Sequence, residues 1–204
     1  MTEKPAFAVL HITAAAGGGA DRYIRDLATS TPHRHYALHV GSGMDVLEDI
    51  AAGRFTPLRR IADTDGRTTA RWLDSAGVGI VHLHSVDEAC RGRLAALRHV
   101  RALPYLVTLH DLLFVNPRAF AVDGMPAFET AWIETLRPTL LEAATVIAPS
   151  AFISGIAVQC APGIRLARIS RSWNARASNC PIRTMTLVAV RSSRFAATSS
   201  VGLA

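Results

Sequence analysis

Three groups of residues could do chemistry. The first is Gly17-Gly18-Gly19, set between an apolar run, Ala8-Val9-Leu10-His11-Ile12-Thr13, and an amphipathic segment from Ala20 to Ala28. The first turn of a helix carries unpaired N–H groups and a positive dipole end, and glycine lets an anion approach the backbone closely. An anionic ligand group, phosphate foremost, suits Gly17, Gly18 and Gly19. A plain tight turn competes with that reading, because Arg22 stands where the third glycine of a dinucleotide fingerprint belongs and no Walker lysine follows. The second group is His110-Asp111, which ends the buried run Tyr105 to Leu109. A histidine there either satisfies backbone groups at the strand end or faces a ligand. The third group is His82 and His84, on one face of a strand, with His33, His35 and His39 near one another in sequence. Zinc needs three or four convergent ligands, and the usual carboxylate or Cys partners stand at no recognisable spacing, so no metal is expected. His82 and His84 read instead as a polar strand end, one of them lining a cleft.

The elements around these groups alternate. Ala20, Tyr23, Ile24, Leu27 and Ala28 recur at helical spacing, leaving Asp21, Arg22, Arg25 and Asp26 on the other side. His35 to Val40 reads as a strand, Met44 to Ala52 as a short helix, and Phe55 to Ile61 as an edge strand because of Pro57. A helix over about 68–76 ends at Gly77. Val78 to His84 is a strand, and Ser85-Val86-Asp87-Glu88 has the capping-box pattern that opens the next helix. Tyr105 to Leu109 is another strand. A long loop then leads to a helix with Pro126 in its first turn, carrying Phe128, Trp132, Ile133 and Leu136 inward, which Pro138 should kink or split. Thr145 to Ala148 is a buried strand, and Pro149-Ser150 leads into a last short helix. This order predicts a doubly wound, mainly parallel α/β sheet. Ligands of such folds bind beyond the carboxyl ends of the strands, which gathers the glycines, His84-Ser85, His110-Asp111 and Ser150 on one rim.

Charge narrows the function. The net charge of +6 is unevenly placed: residues 1–142 carry Lys4 and fourteen arginines against all sixteen acids, whereas residues 143–204 carry seven arginines and no acid. The basicity belongs to the tail, and without an arginine-rich helix or an aromatic-interleaved patch no nucleic-acid partner is expected. Cys90, Cys160 and Cys180 share no metal or redox spacing and no signal peptide is evident, which fits a cytoplasmic setting. The uncharged stretch from Ala143 to Ile164 is broken by Pro149, Gln159 and Pro162, so at most peripheral contact with the inner face of the cell membrane is expected. From Ser170 onward, seven serines and five arginines accompany no lysine and no acid, and Leu187 to Val190 is the one plausible strand. We expect a domain over residues 1–165 and a non-homologous, disordered Arg/Ser-rich tail over 166–204. Arginine-rich, lysine-poor coding suggests GC-rich DNA, and a frameshift between about residues 158 and 172 would account for the tail.

With these pieces in order, the sequence resembles the N-terminal half of a family 4, GT-B-type glycosyltransferase. The likeness rests on Gly17-Gly18-Gly19-Ala20-Asp21-Arg22-Tyr23, Ile80-Val81-His82-Leu83-His84-Ser85 and Thr108-Leu109-His110-Asp111. Asn116-Pro117-Arg118 with Asp123-Gly124, and Val146-Ile147-Ala148-Pro149-Ser150, complete it. The resemblance implies a Rossmann-like domain, the single acceptor-side half of a two-domain enzyme of polysaccharide biosynthesis. It implies transfer of a sugar from a nucleotide-sugar donor to a glycan or lipid-linked acceptor, with retained configuration, no metal and no cofactor. His110 and its neighbour Asp111 become the catalytic residues, and Gly17, Gly18 and Gly19 meet the donor diphosphate. Asp21, His84, Ser85, Arg118 and Ser150 line the acceptor side. Asp21 stands where relatives more often carry Glu, and the donor-binding domain with its paired glutamates does not follow, so the chain alone is expected to be inactive unless a second subunit supplies that domain. The alternative is a non-catalytic remnant or a half-subunit that binds an acceptor or a partner. A nucleotide-binding oxidoreductase is disfavoured by the glycine spacing and by Val40-Gly41, where an acid should end the second strand.

Overall fold

The computed structural model describes residues 7–14, 18–41, 43–62, 66–118, 121–122, 125–126, 128–171 and 185–190. Gly17, Asp123, Gly124 and most of the expected tail lie outside the described residues. The strands are β1 (Ala8–Ala14), β2 (Arg34–Val40), β3 (Asp45–Ala51), β4 (Arg54–Ile61), β5 (Val78–Leu83), β6 (Tyr105–Thr108), β7 (Ala121–Val122), β8 (Met125–Pro126), β9 (Thr145–Ala148), β10 (Leu166–Arg171) and β11 (Met185–Val190). The helices are α1 (Gly19–Ser30), α2 (Arg67–Ser75), α3 (Glu88–Val100), α4 (Thr130–Leu141) and α5 (Ala151–Cys160). One nine-stranded sheet runs β11-β10-β9-β6-β5-β1-β2-β3-β4, and β7 and β8 form a separate small pair. From β10 to β2 the strands are parallel, while β3, β4 and β11 run antiparallel to their neighbours. This is an α/β, Rossmann-like sheet, with helices on both faces.

The two faces differ in chemistry. Strand residues alternate between faces, so Leu10 and Ile12 share a face with Leu38, Val81, Leu83, Val107 and Val146, and all are buried in one large apolar cluster. Helices α2 to α5 add Leu73, Leu94, Leu97, Leu136, Leu140 and Ile156 to it. On the opposite face His11 lies across from Ala37 and His82, and His82 across from Leu106. Steps of two from those pairs put His35, His39, Thr13, His84 and Thr108 on the same side, with His110 two residues past Thr108. Helix α1 covers this side, and the apolar cluster there is small: Ile24, Ala37 and Ile50, with Ala28 and Phe55 against them.

Several local expectations change. Residues 44–52 do not form a helix: Asp45–Ala51 is strand β3, paired on one side with β2 and on the other with β4. Val46, Leu47 and Ile50 fit a helical spacing and a strand equally well, and two flanking strands decide the matter. Strand β4 is the edge strand that Pro57 implies, and the register slips beside it, between Leu47 and Glu48. Helix α3 is capped by Asp87, whose carboxylate accepts from the Cys90 N–H at 2.9 Å, and the Ser85 hydroxyl donates to Asp87 instead of capping. Helix α4 begins at Thr130, so Phe128 stays outside it and is 45% exposed, and Pro126 belongs to β8. Pro138 does not split α4, which runs on to Leu141. It lies in the last turn, where one missing N–H removes one ladder bond near an end that frays anyway. Strand β10 pairs with β9 and buries Leu166 and Ala167, so the sheet continues across residue 165.

Candidate active site

The parallel strands bring their carboxyl ends to one rim. Strand β1 delivers the chain to Gly18, whose φ of +93° is open to glycine and strained for other residues, and α1 starts at the next residue. Tyr23 sits about 6 Å up the helix from that start, one turn. Its ring meets His110 edge-on at 5.2 Å and His84 at 5.7 Å, which brings the first turns of α1 up to the His110 ring. His84, Ser85, Thr108, His110, Asp111 and Phe114 line a small pocket there. Its free space is about 180 Å³, counting what opens to solvent.

Under Tyr23 the histidines touch one another. His84 Nδ1 lies 3.0 Å from His110 Nε2, and His84 Nε2 lies 2.8 Å from His11 Nδ1. His11 Nε2 lies 2.8 Å from His35 Nδ1, and His35 Nε2 lies 2.6 Å from the Thr31 hydroxyl. His82 stands beside this row, its Nε2 2.7 Å from the Thr108 hydroxyl, which also bonds Tyr23. Burial, reinforced by neighbouring rings, holds His11 and His84 well below the ordinary histidine value. The same cause takes His35 down to about 4 and His82 to about 3. Burial lowers His110 as well, against an opposing pull from Asp111. These imidazoles are neutral at physiological pH.

The expected site residues divide. His110, Asp111, His84 and Ser85 come together at the pocket, with Gly18 and Gly19 at the adjacent helix start. Asp111 is exposed, and its carboxylate accepts the Leu113 N–H at 2.9 Å, tightening the turn that leaves β6. Asp21 is 4% exposed, turned inward in the first turn of α1 and not with the solvent-facing residues. Three residues before Ile24 it shares that helix face, and a carboxylate in a first turn is favoured by the dipole. Ser150 caps α5 through the Ile153 N–H at 3.2 Å, and Arg118 is exposed; neither lines the pocket. Tyr23 and Thr108 stand inside the quoted motifs and His35 in the histidine group weighed for zinc, but none of them, nor His11, is expected at the site from the sequence. His11 lies 71 residues before His82 in sequence, and only the β1–β5 register makes them neighbours.

His11, His82 and His84 offer ring nitrogens within 4.8 Å of one another, close enough for a metal to be considered. His11 and His84 turn ring nitrogens toward each other at 2.8 Å, a hydrogen-bonding distance, whereas two ligands of a tetrahedral zinc at ~2.0–2.1 Å stand roughly 3.3 Å apart. Among the described residues no helix is long and apolar enough to cross a membrane.

A family model, Glycosyltransferase Family 4, matches residues 17–170, running from the glycine turn through β10. Comparison with curated proteins and with solved structures gives no match. The family match spans most of the chain and takes in the whole rim just described, from the start of α1 to the cap of α5. The chain belongs to the family 4 glycosyltransferases.

Proposed function

We propose that this domain is the acceptor-side half of a glycosyltransferase that moves a sugar from a nucleotide-sugar donor to a hydroxyl of a glycan or lipid-linked acceptor. The observation that carries this reading is His110. It is half-buried at the carboxyl end of β6, bonded through Nε2 to His84, with no partner for Nδ1 among the described residues, in a pocket beside the start of α1. A fixed neutral imidazole can orient the acceptor hydroxyl or the transferred sugar by a hydrogen bond at Nδ1. The amides of Gly18 and Gly19, together with Gly17, supply donors for the charge that develops on the departing diphosphate. His84 and Ser85 shape the acceptor side, with Arg118 and Ser150 farther along the rim, while Asp21, buried in the first turn of α1, supports that helix start from beneath. Asp111 fixes the turn that presents His110. Bond formation and cleavage balance without a metal or cofactor: the anomeric carbon leaves the diphosphate oxygen for the acceptor oxygen, and the acceptor proton passes to the leaving group.

The shallow pocket supports a division of labour in which a second wall holds the nucleotide. We read that wall as a separate domain or subunit, and the acceptor as arriving from polysaccharide synthesis at the cytoplasmic membrane face. The test joins this chain to the donor-binding half of a family 4 enzyme and follows sugar transfer to acceptors. His110→Ala should lower kcat by about 10²–10⁴-fold while the circular dichroism spectrum is unchanged. Transfer by the variant at a near-normal rate would refute the role of His110. Titration of this chain alone with UDP-glucose should give no heat; a micromolar isotherm would put the donor site on this half.

A further inference from the structure

The row of rings beneath α1 has a property that packing does not require. Every contact in it joins the Nε2 of one histidine to the Nδ1 of the next: His110 to His84, His84 to His11, His11 to His35. The row ends at the Thr31 hydroxyl. Thr31 and His110 are half-buried, whereas His35, His11 and His84 are 2%, 0% and 4% exposed. A continuous line of proton donors and acceptors thus crosses a dry interior between two points that solvent can reach. We propose that Thr31, His35, His11, His84 and His110 form a proton relay that connects the pocket nitrogen of His110 to the far side of the domain.

The head-to-tail order makes the relay reversible without stored charge. With all four rings in the Nε2–H form, His110 donates to His84, His84 to His11, His11 to His35, and His35 to the Thr31 oxygen. A proton that arrives at His110 Nδ1 sends the Nε2 proton of each ring to the Nδ1 of the next. His35 releases its Nε2 proton to Thr31 Oγ1, and the hydroxyl gives its own proton to water. One proton enters and one leaves. All four rings end as Nδ1–H forms, and no ring is a cation at rest. Burial supports this mode, since a lone imidazolium in so dry a place is costly whereas a neutral directed chain polarises favourably. His82 stays outside the relay, its Nε2 held by Thr108. The use of the relay in sugar transfer rests on the function proposed above; its existence does not.

The test uses the 204-residue chain labelled with ¹⁵N at histidine, reading each ring's tautomer from its nitrogen shifts at neutral pH. Relay behaviour requires His11, His35, His84 and His110 to report one common tautomer or one common ratio of the two. A ring that differs from its neighbour would set two lone pairs or two hydrogens face to face, and would overturn the proposal. Thr31→Val, at a half-buried site outside the pocket, should shift the ratio at His35 and shift it equally at His110. No change at His110 would overturn the relay, whatever happens at His35. One equivalent of zinc bound with shifts confined to His11, His82 and His84 would replace the relay with a metal centre. Loss of transfer in His110→Ala alongside uncoupled tautomers would leave the catalytic assignment standing and the relay refuted.

Discussion

Lowering the pH should unfold this domain at a pH where most domains of its size are still stable. His11, His35, His82 and His84 are 0–4% exposed, and each is held below its ordinary value by burial first. In the unfolded chain the same rings titrate near ~6.5. The folded values are the lower ones, so the unfolded state takes up protons first as the pH falls. The stability present above pH 6.5 is then lost downward through the window toward 4, where His35 itself titrates. At pH 5 each ring kept neutral by the fold costs about 2 kcal/mol, so four cost about 8 kcal/mol. That is comparable to the ~5–15 kcal/mol that a whole domain has to lose. Urea unfolding followed by circular dichroism at pH 7.5, 6.5, 5.5 and 5 measures it. The midpoint should fall steeply below pH 6.5, with a slope that corresponds to about four protons. His99→Gln, at an exposed position of α3, should leave that slope unchanged. A stability that stays flat from pH 7.5 to 5.5 would refute the neutral buried cluster.

Four further substitutions test the frame. Gly66→Ala should destabilise by about 1–3 kcal/mol in thermal unfolding, because φ is +75° and the new Cβ would stand 2.9 Å from the Ala96 carbonyl group. Arg93→Ala should cost about 3–5 kcal/mol by stranding Asp45, 2% exposed and 2.6 Å from the Arg93 guanidinium; a urea midpoint within experimental scatter of the parent would mean the pair is not formed. Asp87→Ala should cost about 1 kcal/mol as the cap of α3, and Ser85→Ala should cost less, which a pair of denaturation curves distinguishes.

How much of this was legible beforehand follows from the range of the interactions. Helix α1 and strands β1, β5, β6 and β9 carry their period in contiguous residues, and the rim follows from the rule that parallel strands end together. Strand β3 was not legible, because DVLEDIA has no period that distinguishes helix from strand and its identity is settled by β2 and β4, partners on either side. Asp87 displaced Ser85 as the cap of α3 because an aspartate two residues closer to the helix reaches the same N–H groups. At the site, His110 stood out because it follows a buried run. His11 did not, since a histidine inside AVLHITA looks like an interruption of a strand until β5 is laid beside it in register.

The unequal faces of the sheet bear on how the domain responds to temperature. Exposure of apolar surface raises the heat capacity on unfolding, whereas exposure of polar surface lowers it. Behind the sheet, Leu10, Leu38, Leu83 and their neighbours contribute in the first sense, as in any α/β domain. In front, much of what α1 covers is imidazole, hydroxyl and phenol, which contribute little or in the opposite sense. The heat-capacity change of unfolding is therefore smaller than for a sheet of this size with two apolar faces. A smaller change flattens the curve of stability against temperature, so the domain gives up less stability on warming or cooling away from its optimum.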